Sequence, residues 1–196
     1  MPAHGGIYND LLFSLIRSMK DGKRKYVITG GPGSGKSTLI DTLEKAGYTC
    51  SAEISRKMIK AEVAKGSDCL PWEDIQCFSD KVIAEMIKAW KENTENSLTF
   101  FDRGMPDVIA YLHKAGLPVP AVYSSYLSLH PYEKQVFILP PWEEIYVNDS
   151  ERWQDFTEAT QIYHVIRETY TAYGYELIEV PRVSEKERLA FVLGFL

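Results

Sequence analysis

Gly30-Gly31-Pro32-Gly33-Ser34-Gly35-Lys36-Ser37-Thr38 is the stretch on which the fold turns. It fits G-x-x-x-x-G-K-[ST] at every fixed position. It follows the run Tyr26-Val27-Ile28-Thr29, which reads as a short strand, and leads into a helical segment from Ser37 to Ala46 that Gly47 closes. Strand, glycine-rich turn and helix start, in that order, make an anion site. Glycines at 30, 33 and 35 take backbone angles closed to other residues and let amides approach phosphate. Successive N–H groups and the helix N-terminus then converge on one concave point. Lys36 adds a charge for the β- and γ-phosphates, and the Ser37 hydroxyl a ligand for Mg²⁺. Gly31, Gly33, Ser34, Gly35, Lys36, Ser37 and Thr38 are therefore the expected contacts of ATP with Mg²⁺. Lys36 is expected in solvent-accessible loop space.

Outward from this loop, strand-like and helix-like segments alternate. Tyr48 to Ala52 reads as a second strand, Leu98 to Phe101 as a third, Gln135 to Leu139 as a fourth and Tyr175 to Val180 as a fifth. Trp72, Ile75, Phe78, Val82, Ile83, Met86, Ile87 and Trp90 share one helical face, which predicts a long helix after Pro71. Thr157 to Tyr173 reads as another helix, stopped by Gly174, and Ser184-x-x-Glu187 is a capping box opening the last. Five strands separated by helices imply right-handed crossovers and a parallel sheet covered by helices, the α/β class. Tyr8 to Met19 has helical spacing, so residues 1–24 are read as a helical extension. With no linker or repeat, the 196 residues read as one domain.

Open parallel sheets bind ligands at the C-terminal ends of their strands. Asp102, in Phe101-Asp102-Arg103-Gly104, ends the third strand there and is a candidate Mg²⁺ ligand; capping the following turn is the competing role. Arg103 brings a planar fork suited to phosphate or an acidic substrate group. Asp107 fits a helix-start cap after Pro106 at least as well as a site role. Glu53 ends the second strand, as a general base for an acceptor hydroxyl or as a first-turn acid favoured by the helix dipole. Arg56, one turn on, is placed to bind phosphate or pair with Glu53. The long aromatic and polar stretch around Pro140 to Trp153 reads as a lid, about residues 142–155, carrying Arg152 toward the transferring group; a surface arginine in an exposed helical turn is the competing role. Pro181-Arg182-Val183-Ser184 is a possible rest for an adenine base. His4, His113, His130 and His164 share no ligand spacing, and Tyr163, Tyr170, Tyr173 and Tyr175 read as a packed face.

Composition narrows the classes. The chain is 45% hydrophobic and 25% charged with a net charge of −5, an ordinary globular composition. Its acidity argues against broad duplex nucleic-acid binding. No apolar stretch is long enough to span a bilayer, and the start lacks the marks of a signal peptide. Cys50, Cys69 and Cys77 lack metal-ligand spacing and are read as reduced thiols of a cytoplasmic protein.

The glycine-rich loop, Ala52-Glu53-x-x-Arg56, Phe101-Asp102-Arg103-Gly104-x-x-Asp107, Arg152 and Gly174-Tyr175-Glu176-Leu177-Ile178-Glu179-Val180-Pro181 together resemble a family of small bacterial P-loop predicted ATPases. That family is similar to the nicotinamide-riboside kinase domain and, more distantly, to deoxynucleoside and thymidylate kinases. The resemblance covers Lys25 to Leu196. It implies a three-layer α/β/α P-loop NTPase with a five-stranded sheet in 2-3-1-4-5 order, and Glu53 or Asp102 as base in phosphoryl transfer. Lys36, Glu53, Asp102, Arg103 and Arg152 are the expected catalytic residues, Ser37 and Asp102 the expected metal ligands. The expected activity is Mg²⁺-dependent transfer of the γ-phosphoryl group of ATP to a hydroxyl of a nucleoside-like or other small metabolite, by a monomer or homodimer that binds no nucleic acid or membrane. A regulatory ATPase or nucleotide switch, and a nucleoside triphosphate phosphohydrolase, are the alternatives.

Overall fold

The computed structural model of the chain describes residues 24–93, 98–146 and 155–196. The expected N-terminal helix, Arg152 and most of the expected lid lie outside them.

Five strands, β1 (Lys25–Gly30), β2 (Thr49–Ser51), β3 (Thr99–Asp102), β4 (Gln135–Leu139) and β5 (Glu176–Glu179), pair in parallel in the order β2-β3-β1-β4-β5. This is the α/β fold and strand order that the resemblance implied. β1 is central, with Val27 against Phe101 and Thr29 against Ile138. Both of its faces are covered, so every residue of the strand is buried, Lys25 included. Lys25 donates to the Trp90 carbonyl at 2.7 Å with its ammonium 3.3 Å from the Trp90 ring centre.

Alternation along the strands sorts the core into two layers. Tyr26, Ile28, Phe100, Phe137 and Leu139 face α1 (Lys36–Lys45) and α7 (Glu185–Leu193), which contribute Leu39, Leu43 and Val192. Val27, Phe101, Val136 and Ile138 face α3 (Ile75–Glu92), α4 (Met105–Lys114), α5 (Val122–Leu129) and α6 (Phe156–Ala172), which contribute Val82, Ile109, Tyr123 and Ile166. Between β2 and α3 runs α2 (Ile54–Lys65), with Glu53 as its N-cap residue and Arg56 in its first turn. Its buried Glu62 pairs with Lys65 at 2.9 Å and with Lys81 of α3 at 2.6 Å, tying the two helices together.

The long helix begins at Ile75 rather than Trp72, because Asp74 is the cap and accepts from the Cys77 amide at 2.9 Å. The same short turn overturns the reduced-thiol expectation for two cysteines. It folds Cys69 back onto the first turn of α3, where it forms a disulfide with Cys77, and Cys50 is the free cysteine. Among the described residues no helix is long and apolar enough to cross a membrane.

Candidate functional site

The C-terminal ends of β1, β2 and β3 and the N-termini of α1, α2 and α4 open onto one cleft of about 1030 Å³. That is the upper end of the range for small-molecule pockets, about 300–1,000 Å³. Sheet order divides it. The glycine-rich loop after central β1 is the middle. The segments after β4 and β5 give one side, with Ile145, Glu185 and Arg188. The segments after β2 and β3 give the other, with Glu53, Arg56, Arg103, Asp107, Val108 and Tyr111, backed by the α2–α3 wall of Ile59, Val63, Trp72, Ile75, Phe78 and Val82.

In the loop itself, Gly33 (φ 70°) and Gly35 (φ 83°) hold left-handed angles. A Cβ at Gly33 would run into the Tyr146 ring, and one at Gly35 would lie 2.7 Å from Arg188 Nη1. The Ser34 hydroxyl donates to the Gly31 carbonyl at 2.9 Å and braces the turn. Ser37 is exposed at the start of α1. Lys36 is not in accessible loop space: it is 6% exposed, because Nζ folds back to donate to the carbonyls of Gly30 at 2.9 Å and Gly31 at 2.7 Å. Burial, helped by the nearby Arg103 charge, holds its pKa below the ordinary lysine value, against the pull of Asp102, Glu53 and Asp107.

Two carboxylates of the β3–α4 junction, both buried, are held differently. Asp107 is a hub. It accepts from the Thr29 hydroxyl at 2.5 Å, Arg103 Nη1 at 3.1 Å, the Gly104 amide at 2.9 Å and the Tyr170 hydroxyl at 2.6 Å. The capping expectation for Asp107 is therefore met, since the Gly104 contact closes the first turn of α4. Asp102 is 6% exposed, and its Oδ1 has no hydrogen-bond partner among the described residues. Burial pushes its carboxyl up to about 6; Lys36 opposes the shift and Glu53 adds to it.

Arg103 joins the β2 and β3 segments of the cleft to the glycine-rich loop. It holds a left-handed φ of 72°, which costs a side-chain-bearing residue about 1–2 kcal/mol. Its Nε donates to Glu53 at 3.1 Å, its Nη1 to Asp107 and to the Gly30 carbonyl at 3.3 Å, and its amide to the Ile28 carbonyl at 3.0 Å. Those four bonds over-determine the strained backbone. Glu53 also pairs with Arg56 at 3.5 Å. Burial alone would raise the Glu53 carboxyl, but Arg103, Lys36 and Arg56 bring it down to about 2.

The profile of the AAA domain family matches residues 25–188. This chain belongs to that family. No curated protein matches it. Solved structures of the same fold include the deoxyadenosine kinase from M. mycoides with products dCMP and dCDP bound, at TM-score 0.61 and 14% identity, over 87% of this chain and 97% of that one. The NadR protein in complex with NR aligns at TM-score 0.66 and 15% identity over 87% of this AAA domain and 50% of NadR. Thymidylate kinase from Ehrlichia chaffeensis aligns at 0.57 and 13%, over 89% and 98%. At these identities the likeness establishes the fold: this AAA domain has the architecture of P-loop kinases.

Of the residues picked out in the sequence, Lys36, Ser37, Glu53, Arg56, Arg103 and Asp107 share the cleft, and Asp102 lies buried beside it. Arg152 lies outside the described residues. Arg182 does not join them; its Nε donates to the Pro141 carbonyl at 2.8 Å and pins the β5–α7 turn to the segment after β4. Two contributors were not foreseen. Tyr170 reaches Asp107 from α6, and Arg188 of α7 stands against Gly35. The signal for Arg188 was its position four residues before Val192, on the apolar stripe of the last helix.

Proposed function

We propose that this AAA domain is an Mg²⁺- and ATP-dependent small-molecule kinase acting on a hydroxyl of a nucleoside-like acceptor. The observation that carries the reading is the second compartment of the cleft. Opposite the phosphate-binding loop, Glu53, Arg56 and Arg103 lie at the foot of an aromatic and aliphatic wall that includes Trp72, Phe78 and Tyr111. A switch or a simple hydrolase has no use for such a pocket, whereas a flat, partly polar acceptor fills it.

The residues present suit the nucleotide and its metal. A side chain at Gly33 or Gly35 would fill the cradle. The exposed Ser37 hydroxyl and the orphaned, buried Asp102 Oδ1 would hold Mg²⁺, which when bound neutralises charge on phosphate oxygens. Lys36 then exchanges two loop carbonyls for phosphate oxygens. The acceptor oxygen attacks the γ-phosphorus, the bond from phosphorus to the β–γ bridging oxygen breaks, and ADP leaves. The acceptor proton passes to Glu53. Glu53 is a weak base between Arg103 and Arg56, yet a loose transition state needs little proton abstraction. Arg103, fixed by Glu53 and Asp107, keeps its charge aimed between the two compartments.

The test is a metabolite panel screened by thermal shift with Mg²⁺ and a non-hydrolysable ATP analogue. An acceptor at a hundredfold excess over its Kd stabilises the native chain by about 2.7 kcal/mol. The kinase reading expects a hydroxyl-bearing compound that adds such a shift on top of the analogue. A panel without any such compound, with ATP hydrolysis indifferent to all of them, would favour the switch.

A further inference from the structure

Arg188 has no role in the reading above, and its position is costly. It is 5% exposed, and its Nε and Nη1 have no hydrogen-bond partner among the described residues. A buried guanidinium N–H without an acceptor loses its hydration with no hydrogen bond in return, so such groups are rare unless something else fills the gap. One face of the guanidinium is covered, its carbon 5.3 Å from the Trp142 ring centre. Its Nη1 is turned to the phosphate-binding loop, close enough to Gly35 that a Cβ there would lie 2.7 Å away. Burial lowers its pKa, with Glu185 pulling the other way.

Local structure keeps the arginine in place. Ser184 and Glu187 cap α7 reciprocally, the Ser184 hydroxyl donating to Glu187 Oε2 at 2.6 Å and the Glu187 amide to Ser184 Oγ at 3.4 Å. The Arg188 amide donates to the Ser184 carbonyl at 2.9 Å. The backbone of Arg188 is thus fixed before any ligand arrives, the Trp142 ring packs against its guanidinium, and the unpartnered N–H groups lie beside the loop that cradles anions.

We propose that Arg188 is a nucleotide-contacting residue whose Nε–H and Nη1–H donate to phosphate oxygens of the nucleotide where its phosphate chain passes Gly35. The inference rests on the nucleotide-binding reading. It adds to the loop a cation from the last helix, with Trp142 as the packed surface behind it. A base stacked on the guanidinium would leave both N–H groups unpaired, so the chemistry favours an oxyanion over an adenine ring.

The experiment is calorimetric titration of the full chain and its Arg188→Met, Arg188→Lys and Lys36→Ala variants with Mg·ATP, inorganic tripolyphosphate and adenosine, alongside melting curves without ligand. Arg188→Met should weaken Mg·ATP and tripolyphosphate alike, by roughly 10- to 100-fold, the worth of hydrogen bonds to a charged group. Adenosine should be unaffected, and Arg188→Lys should fall between. The unliganded Met variant should melt no lower than the parent, since an unpaired buried cation has gone. Unchanged tripolyphosphate binding in Arg188→Met would overturn the proposal, whether its melting point fell (a structural arginine) or ATP alone weakened (a base contact). If only Lys36→Ala lost ATP, Arg188 would be wrong and nucleotide binding right. If the parent bound neither ATP nor tripolyphosphate, both would fail.

Discussion

Two regions of the cleft, the β2–β3 end and the surroundings of the glycine-rich loop, hold their charges in opposite ways. On the β2–β3 side the network is closed: Glu53, Arg103, Asp107, Thr29 and Tyr170 are joined by hydrogen bonds of 2.5–3.1 Å. Around the phosphate-binding loop the charges are left open, with Asp102 Oδ1 at the end of neighbouring β3 and two nitrogens of Arg188 unpartnered among the described residues and Lys36 parked on its own loop. A closed network sets geometry and contributes stability. Open charges cost stability until a ligand of complementary charge arrives. Substitutions at one end should therefore act mainly on folding, and at the other mainly on nucleotide binding.

The largest effect is expected at the closed end. Asp107→Ala leaves four buried donors without their shared acceptor and the Arg103 guanidinium with Glu53 as its remaining carboxylate, so unfolding in urea should show a loss of about 3–5 kcal/mol. A loss well under 1 kcal/mol would mean that the network is not what holds this corner. At the open end, Lys36→Ala should lower turnover by about 10²–10³, the cost of deleting one donor to transition-state charge. Its stability without ligand should not fall, because a buried ammonium has been removed; a parental rate of ATP turnover would break the assignment.

Asp102 makes the contrast pH-dependent. Its native carboxyl is raised to about 6, from an ordinary value of 3.8. The native state therefore holds the proton more tightly than the unfolded one, and stability present at low pH is lost as pH rises through about 6. Asp102→Asn resembles the protonated form. Denaturation without ligand should find it about as stable as the parent near pH 4 and more stable by up to about 3 kcal/mol near pH 8. Mg·ATP binding by the parent should strengthen through the same interval, and the variant's dependence on Mg²⁺ should weaken. The smallest effect is expected for Glu53→Gln, a drop in turnover of about tenfold with ATP affinity little changed, because the loose transition state asks little of a base. A loss of ATP affinity without a loss of rate would mean that the base and metal roles are exchanged.

What was legible in the sequence was local. The phosphate-binding loop, the Ser184–Glu187 capping box and the strand Gln135–Leu139 are contiguous, and each carries its own physical signature. The 2-3-1-4-5 order came through the resemblance, since neither periodicity nor spacing orders strands. The closed network was legible only in pieces. Glu53, Arg103, Asp107 and Tyr170 lie on separate elements, and Tyr170 is 63 positions from the carboxylate it meets. Its hydroxyl looked like one more member of a packed face. Lys36 was expected in the open because its role concerns a ligand, whereas an unliganded lysine takes the nearest carbonyls. The Cys69–Cys77 disulfide depended on how tightly the turn before α3 folds, which composition does not encode. Arg188 was not legible because a charged residue on the buried stripe of a short helix has the same spacing as one that snorkels to solvent.

The central claim is that the open end delivers a phosphoryl group to something held at the closed end. Its most direct measurement incubates the chain with Mg²⁺, γ-labelled ATP and the compounds that shift its melting point, and then asks where the label goes. The kinase reading predicts label on a hydroxyl of one compound, with ADP formed in equal amount and the transfer lost in Lys36→Ala. Label recovered only as inorganic phosphate, at a rate no compound changes, would contradict it.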